Sequence, residues 1–328
     1  MKKFKKKYFF LFCLPLVIAG SIFSVILLNN KVNEGIENEF VIDISEKNYR
    51  KVYLLDDNKF LIPLSVDVSG KDYIVDEIYT VVSNLRDLEV EGFTSVIAKD
   101  VKINKIELED GILNIDFSKE FLVYQNDLEE KIIESLTWSV LDFNEVRGLT
   151  ISVEGVKLEK MPINGLQLPS VLNKDIGINK YHDMVNDYQG SDNVVLLYEK
   201  VIGNNSYYVP VTRRVIKESN DTMTIMNAID SEIGILSGLK QIDMVKGLSN
   251  DAFDYDDSKV SVSIGREHLV EDNLVDATLY EIIMVTFEYN DVSSQVGFIV
   301  DQEDVSVVGY QYDNDNQVSN IVFNEIEI

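Results

Sequence analysis

The chain is poor in the residues from which reactive sites are usually built. It has 1 Cys in 328 residues, which excludes an internal disulfide and any cysteine-based metal cluster. It has 2 His, His182 and His268, far apart and without acidic or cysteine neighbours at ligand spacing. Both are therefore read as surface or loop residues, not as metal ligands or general bases. Glycine is not clustered into a phosphate-binding loop. Cations are scarce: 30 Lys and Arg stand against 56 Asp and Glu, a formal net charge of −26. Phosphate neutralisation needs the opposite balance, so nucleic acid is excluded as a partner. What is present is an ordinary folding composition, 45% hydrophobic and 26% charged, over a length that suggests about two domains.

Residues 1–7 form a basic tail carrying Lys2, Lys3, Lys5, Lys6 and Lys7. Residues 8–28 (YFFLFCLPLVIAGSIFSVILL) carry no charge. That run suffices to cross a hydrocarbon core of about 30 Å. It predicts a single-pass transmembrane anchor, with the tail cytoplasmic and the rest of the chain extracytoplasmic. A signal peptide cut near Ala19-Gly20-Ser21 is the competing reading, but the apolar run continues well past that point. Cys13 lacks the small preceding residues of a lipid-attachment site. The acidic remainder should be repelled by an anionic membrane surface and stand off it.

Residues 29–50 are polar and aperiodic and read as a stalk. From 51 to 157 the pattern is that of a small α+β domain. Val52–Leu55 and Phe60–Leu64 flank the turn residues Asp56-Asp57-Asn58 and predict a hairpin. Pro63 places its strand at an edge or ends it there. Ile74, Ile78, Val81, Val82 and Leu85 have helical spacing. Alternating strands over 101–108 and 112–117 meet at Asp110-Gly111. Residues 128–142 form the clearest helix, with Asp127 and Glu130 spaced as a capping box. A strand over 149–153 closes the domain. Residues 158–192 hold Pro162, Pro169 and many Asn and Asp, and read as a linker. The pattern then restarts over 193–310. Val194–Leu197 echoes Val52–Leu55, Val209-Pro210-Val211 echoes Ile62-Pro63-Leu64, and Ile282–Phe287 echoes Ile133–Trp138 at a spacing of 149. A period this long is a domain duplication, not a solenoid. The predicted fold class is α+β: a transmembrane helix followed by two tandem modules, each a mixed sheet with two helices. Residues 311–328 read as an acidic tail, disordered over Gln311–Gln317, with Val318–Ile328 as a candidate edge strand.

Several residues carry a family resemblance. They are Val52-Tyr-Leu-Leu with Ile62-Pro63-Leu64, the run Ile112–Phe121 containing Asp116-Phe117-Ser118, Leu136-Thr137-Trp138, and Val146–Gly155. On these, residues 52–157 resemble a GerM domain, the module of a sporulation and spore-germination protein of endospore formers. Residues 194–308 resemble it less closely, with Gly265-Arg266-Glu267 in place of Asp116-Phe117-Ser118. The resemblance implies a relation to ring-building motifs of envelope-spanning assemblies. It also implies action by protein–protein association, with no assigned catalytic residues.

Other short patterns are weak. Ser237-Gly-Leu-Lys240 with Ser191-Asp192-Asn193 has the triplets of penicillin-recognising enzymes, but in the wrong order and without K-T-G. Asp313-Asn-Asp315 and the cluster Asp251, Asp254, Asp256 and Asp257 read as solvated loops, or else as weak calcium sites without the ligands of a complete loop. No catalytic, cofactor or metal residue is assigned, and the chain is read as a non-enzyme. Three residues remain as candidate interface contacts. Trp138 is core packing or an exposed anchor. Arg213 and Arg214 contact a partner, pair with an acidic neighbour, or guard an edge strand. The function expected is a membrane-anchored extracytoplasmic scaffold that binds itself or other envelope proteins. The alternative is a non-catalytic cell-wall module stacking sugars on Tyr207-Tyr208.

Overall fold

The computed structural model describes residues 47–180, 190–230, 237–242, 245, 248, 253–256, 259–270, 273–292, 295–308 and 324. The predicted anchor, most of the stalk, His182, Cys13 and the Asp313–Asp315 pattern lie outside the described residues. Among the described residues no helix is long and apolar enough to cross a membrane.

Residues 47–328 are one compact unit, built from the same element series twice. The first module runs β1 (Tyr49–Leu55), β2 (Leu61–Asp67), α1 (Ile74–Asp87), β3 (Ile103–Glu109), β4 (Ile112–Phe117), α2 (Glu129–Val140), β5 (Gly148–Val153) and β6 (Val156–Lys157). The second runs β7 (Ser191–Ile202), β8 (Asn205–Ile216), α3 (Asp221–Asp230), β9 (Phe253–Asp256), β10 (Lys259–Ser263), α4 (Ala277–Tyr289), β11 (Gln295–Val300) and β12 (Glu303–Val305). β1–β2 and β7–β8 are antiparallel hairpins. The four-stranded sheets have the orders β3-β4-β5-β6 and β9-β10-β11-β12. In each, the inner pair is parallel and joined through a helix, and the outer pairs are antiparallel. The tandem α+β reading therefore holds.

Local chemistry explains the shared corners. Asp116 accepts from the Gly155 N–H at 2.7 Å and from Asn104 at 3.1 Å. Ser118 Oγ accepts from the Lys102 N–H at 3.0 Å. Phe117 stacks on Phe121 at 4.4 Å. The Asp-Phe-Ser run thus ties the β3–β4 pair to the β5–β6 turn, a structural task. In the second module the matching corner is tied by Arg266 to Asp301.

Three expectations need correction. The capping box does not form: a 3-10 turn over Asn126–Leu128 leads into α2 without a side-chain cap, and Asp127 is drawn to Lys59 instead. β1 starts at Tyr49, inside the expected stalk, because Asn48 is held through Ser69 Oγ and the Val68 N–H. Residues 158–180 are packed, not free. Leu158 donates to Ile151 O, and Leu149 and Leu172 exchange two bonds at 2.8 Å. Met161, Leu172 and Ile178 are buried. β5 has edge groups that must be satisfied, and this segment satisfies them.

Candidate functional site

Buried polar and aromatic groups gather at the seam between the two modules. Its first part is a hairpin-edge contact. Alternate residues of β2 bond to β1, leaving Leu61, Pro63 and Ser65 facing outward. β8 presents Tyr208, Pro210 and Thr212 in the same way. The two edges are bridged by asparagine side chains. Asn179 Oδ1 accepts from the Leu61 N–H at 2.8 Å, and its Nδ2 donates to Leu61 O at 2.8 Å and Pro210 O at 2.9 Å. Asn324 Oδ1 accepts from the Tyr208 N–H at 2.8 Å, and its Nδ2 donates to Tyr208 O at 2.9 Å and Pro63 O at 2.7 Å. The Thr212 N–H donates to Ile178 O at 2.8 Å and the Ser65 N–H to Asn324 O at 3.3 Å. Proline suits both central positions, because it has no N–H to leave unpaired at a strand edge, while its carbonyl still accepts from the bridging asparagine.

The second part is aromatic. Trp138, the only tryptophan, lies 6.5 Å from the Tyr53 ring and 5.6 Å from the Tyr289 ring. Its Nε1–H donates to Gly177 O at 2.8 Å. The Tyr53 and Tyr289 hydroxyls bond at 2.9 Å. Beside them Lys51 Nζ sits 3.1 Å from Asp142 and 2.7 Å from Glu288 of the other module. Burial pulls the Lys51 ammonium down, but Asp142 and Glu288 outweigh it and hold its pKa above the ordinary value. Burial pushes the Tyr53 and Tyr289 hydroxyls up, so both stay neutral. α2 is consequently buried along nearly its whole length. Leu136 faces its own core, while Ser135 and Ser139 serve the outer edge of β1 by bonding Tyr53 O at 2.7 Å and the Tyr53 N–H at 3.2 Å.

The third part is at the hairpin tips. Phe93 and Tyr207 meet edge-on at 5.1 Å. Lys200 Nζ lies 3.2 Å from Asp56 Oδ2, in the turn of the first hairpin.

Two buried carboxylates flank the seam and behave oppositely. Burial pushes Glu129 up, but donation from the Asn164, Leu166 and Ile163 N–H groups and the Tyr124 hydroxyl prevails and holds it below the usual range. Glu134 accepts from the Asn179 N–H at 3.1 Å and from Lys131 at 3.2 Å. There burial prevails and the carboxyl is raised.

The sequence candidates are redistributed by this geometry. Trp138 is buried, and the surface it anchors lies within the chain. Arg213 is 1% exposed, so it neither guards an edge nor meets an outside partner. Strand alternation puts it on the face of Val209, Val211 and Val215, where its guanidinium lies over Tyr198 and bonds the Tyr198 hydroxyl. Arg214 is half-buried and donates to Ser191 Oγ at 2.7 Å. That bond ties the serine of the Ser-Asp-Asn triplet to the strand opposite, while Lys240 pairs with Glu199 at 3.3 Å. Among the described residues no group of three or more His, Cys, Asp or Glu is placed to hold a metal ion. A water-sized cavity of about 20 Å³ lies in the second module between Leu196, Ala228, Ile229, Ile282 and Thr286. Sequence reasoning missed Lys51, Tyr53, Asn179, Tyr289 and Asn324. The one signal for them was the pair of matched prolines in matched strands.

Comparison with known proteins agrees with this duplicated architecture. Residues 51–159 match the family model Germane, described as sporulation and spore germination. The chain is 28% identical over 178 residues to the spore germination protein GerM of Bacillus subtilis (strain 168). That match covers 53% of this chain and 49% of the relative, so it spans about half the length of that protein. The solved tandem GerMN domains of the sporulation protein GerM from Bacillus subtilis superpose with a TM-score of 0.62 at 23% identity. That superposition covers 80% of this chain and 97% of the other, and it shows a shared fold.

Proposed function

We propose that the chain is a membrane-anchored extracytoplasmic scaffold of sporulation or spore germination, a reading supported by the match of residues 51–159 to the Germane family model. It works by protein association and performs no catalysis. The observation that carries this reading is the seam. Two copies of one module recognise each other through strand edges, a tryptophan, two tyrosines and a cross-module ion pair. Their most heavily furnished surface is spent on binding a homologous module. Outward-facing contacts remain on α1, where Tyr79 is 50% exposed, and just before it, where Tyr73 is 71% exposed. Tyrosine is a residue type enriched at interface cores. The anchor rests on residues 1–28 of the sequence.

Against the wall-binding alternative, Tyr207 is buried against Phe93, which leaves of the tyrosine pair only the half-buried Tyr208 ring for stacking. The test is crosslinking of the full-length protein in its native membrane, followed by mass spectrometry. A homo-multimer ladder or one recurrent envelope protein supports a scaffold. A monomer bearing no protein adduct contradicts it.

A further inference from the structure

The two modules have the same strand edge to satisfy and satisfy it with different groups. Tyr53 on β1 stands opposite Pro63, and Leu197 on β7 stands opposite Pro210. A residue's N–H and carbonyl point to the same side of an antiparallel strand, and proline offers no N–H to exchange. The main-chain groups of Tyr53 and Leu197 therefore both face the outer edge of their hairpin.

In the first module that edge is served along its length. The Lys51 N–H donates to Asp142 Oδ2 at 3.1 Å, and Leu55 and Thr94 exchange bonds of 3.0 and 2.8 Å. Between them, Ser139 Oγ accepts from the Tyr53 N–H and Ser135 Oγ donates to Tyr53 O. In the second module the flanks are served alike. Asn290 accepts from the Val195 N–H and donates to Val195 O, both at 2.8 Å. Glu199 and Lys240 exchange bonds of 2.7 and 2.8 Å. Between these flanks, the Leu197 N–H and carbonyl meet no donor or acceptor among the described residues.

What lies there is the cavity of about 20 Å³, bounded by Leu197, by Ala228 and Ile229 of α3, by Ile282 and Thr286 of α4, and by Gln241. Gln241 follows Lys240, which sets the cavity on this outer edge. A water needs about 10–15 Å³ of such space and two to four polar partners. Thr286 Oγ1 spends its proton on Ile282 O at 2.7 Å, so its remaining lone pair can accept. Leu197 is buried, and a buried main-chain N–H is costly to leave unpaired.

We propose that this cavity is a binding site for a single structural water. The water accepts from the Leu197 N–H and donates to Leu197 O and Thr286 Oγ1. It does for β7 what Ser135 and Ser139 do for β1.

The experiment is oxygen-17 relaxation dispersion of water on the full-length protein and its variants. This probe counts long-lived internal waters and does not respond to hydroxyl protons. Ala228→Val puts two further methyl groups into the cavity and should remove one long-lived water from the count. Thr286→Val keeps the side-chain shape but loses the acceptor, and should also remove one. Thr286→Ser should retain it. An unchanged count in Ala228→Val overturns the proposal. So does a count retained in Thr286→Val, and so does an equal loss in Thr286→Ser, which would mean general loosening. If Ala228→Val does not fold, the two threonine variants decide.

Discussion

Replacing Asn179 by Asp changes one NH₂ group to oxygen and leaves shape and backbone preference almost untouched. The acceptor for the Leu61 N–H survives. The donor to Leu61 O and Pro210 O is lost, and an anionic oxygen then faces two buried carbonyls next to the buried Glu134 carboxyl. An unsatisfied buried polar group costs about 1–3 kcal/mol, more when charged. Two such carbonyls make the variant about 3–5 kcal/mol less stable at pH 7.5, with Lys131 at 2.9 Å from Asn179 Oδ1 offsetting part of the charge. For a folded unit of this size each kcal/mol lowers Tm by about 2–4 °C. The expected loss is therefore roughly 6–20 °C by differential scanning calorimetry. Beside Glu134 and two main-chain carbonyls, the introduced carboxyl is expected to titrate higher in the folded state than in the unfolded one. The penalty is therefore absent below the unfolded carboxyl pKa, and it grows as pH rises through the folded one. A protonated Asp can donate again, so the gap to the natural protein should narrow at pH 4. A variant within 1 °C of the natural protein at pH 7.5 would show that the amide bridge does not hold the seam.

Trp138→Ala removes the ring between Tyr53 and Tyr289 and the bond to Gly177 O. It should cost about 3–5 kcal/mol in urea denaturation, and Trp138→Phe distinctly less. Glu129→Gln should destabilise at pH 7.5. The folded pKa of Glu129 is lowered, so its stabilisation is present above the ordinary glutamate value of 4.5 and is lost as pH falls through the folded pKa. The gap to the natural protein should therefore close on acidification, as denaturation at pH 7.5 and pH 3 would reveal. Glu134 has the opposite sign: its folded pKa is raised, so its contribution is largest below 4.5 and falls as pH rises. Glu134→Gln should accordingly cost less at pH 7.5 than Glu129→Gln in the same assay.

The sequence carried the hairpins, the helices and the duplication because these rest on short periods. Val52–Leu55 against Leu61–Leu64 alternates, α1 and α2 repeat at helical spacing, and Pro63 and Pro210 recur in matched strands. Arg213 was also legible, since strand alternation groups it with Val209, Val211 and Val215, yet charge was taken to mean surface. Trp138 reads from its helix as core packing or an exposed anchor, but nothing local says that the surface it meets is a second module of the same chain. Asn179 and Asn324 carry no signal of their own; only the matched prolines Pro63 and Pro210 point toward the strand edges that they bridge. A single asparagine in a polar stretch has no period, and its role depends on two strand edges separated from it by long loops. The capping box failed for a related reason. Asp127 has the right spacing, but Lys59, 68 residues away, competes for it.

The claim that this chain works by protein association is tested most directly by site-specific photo-crosslinking in the native membrane. A photoreactive residue is placed in the full-length protein at Tyr79 on the exposed side of α1, and in a second sample at Trp138 in the seam. The account predicts adducts with another protein at position 79 and none at position 138. No protein adduct at 79, or an intermolecular adduct at 138, would contradict it.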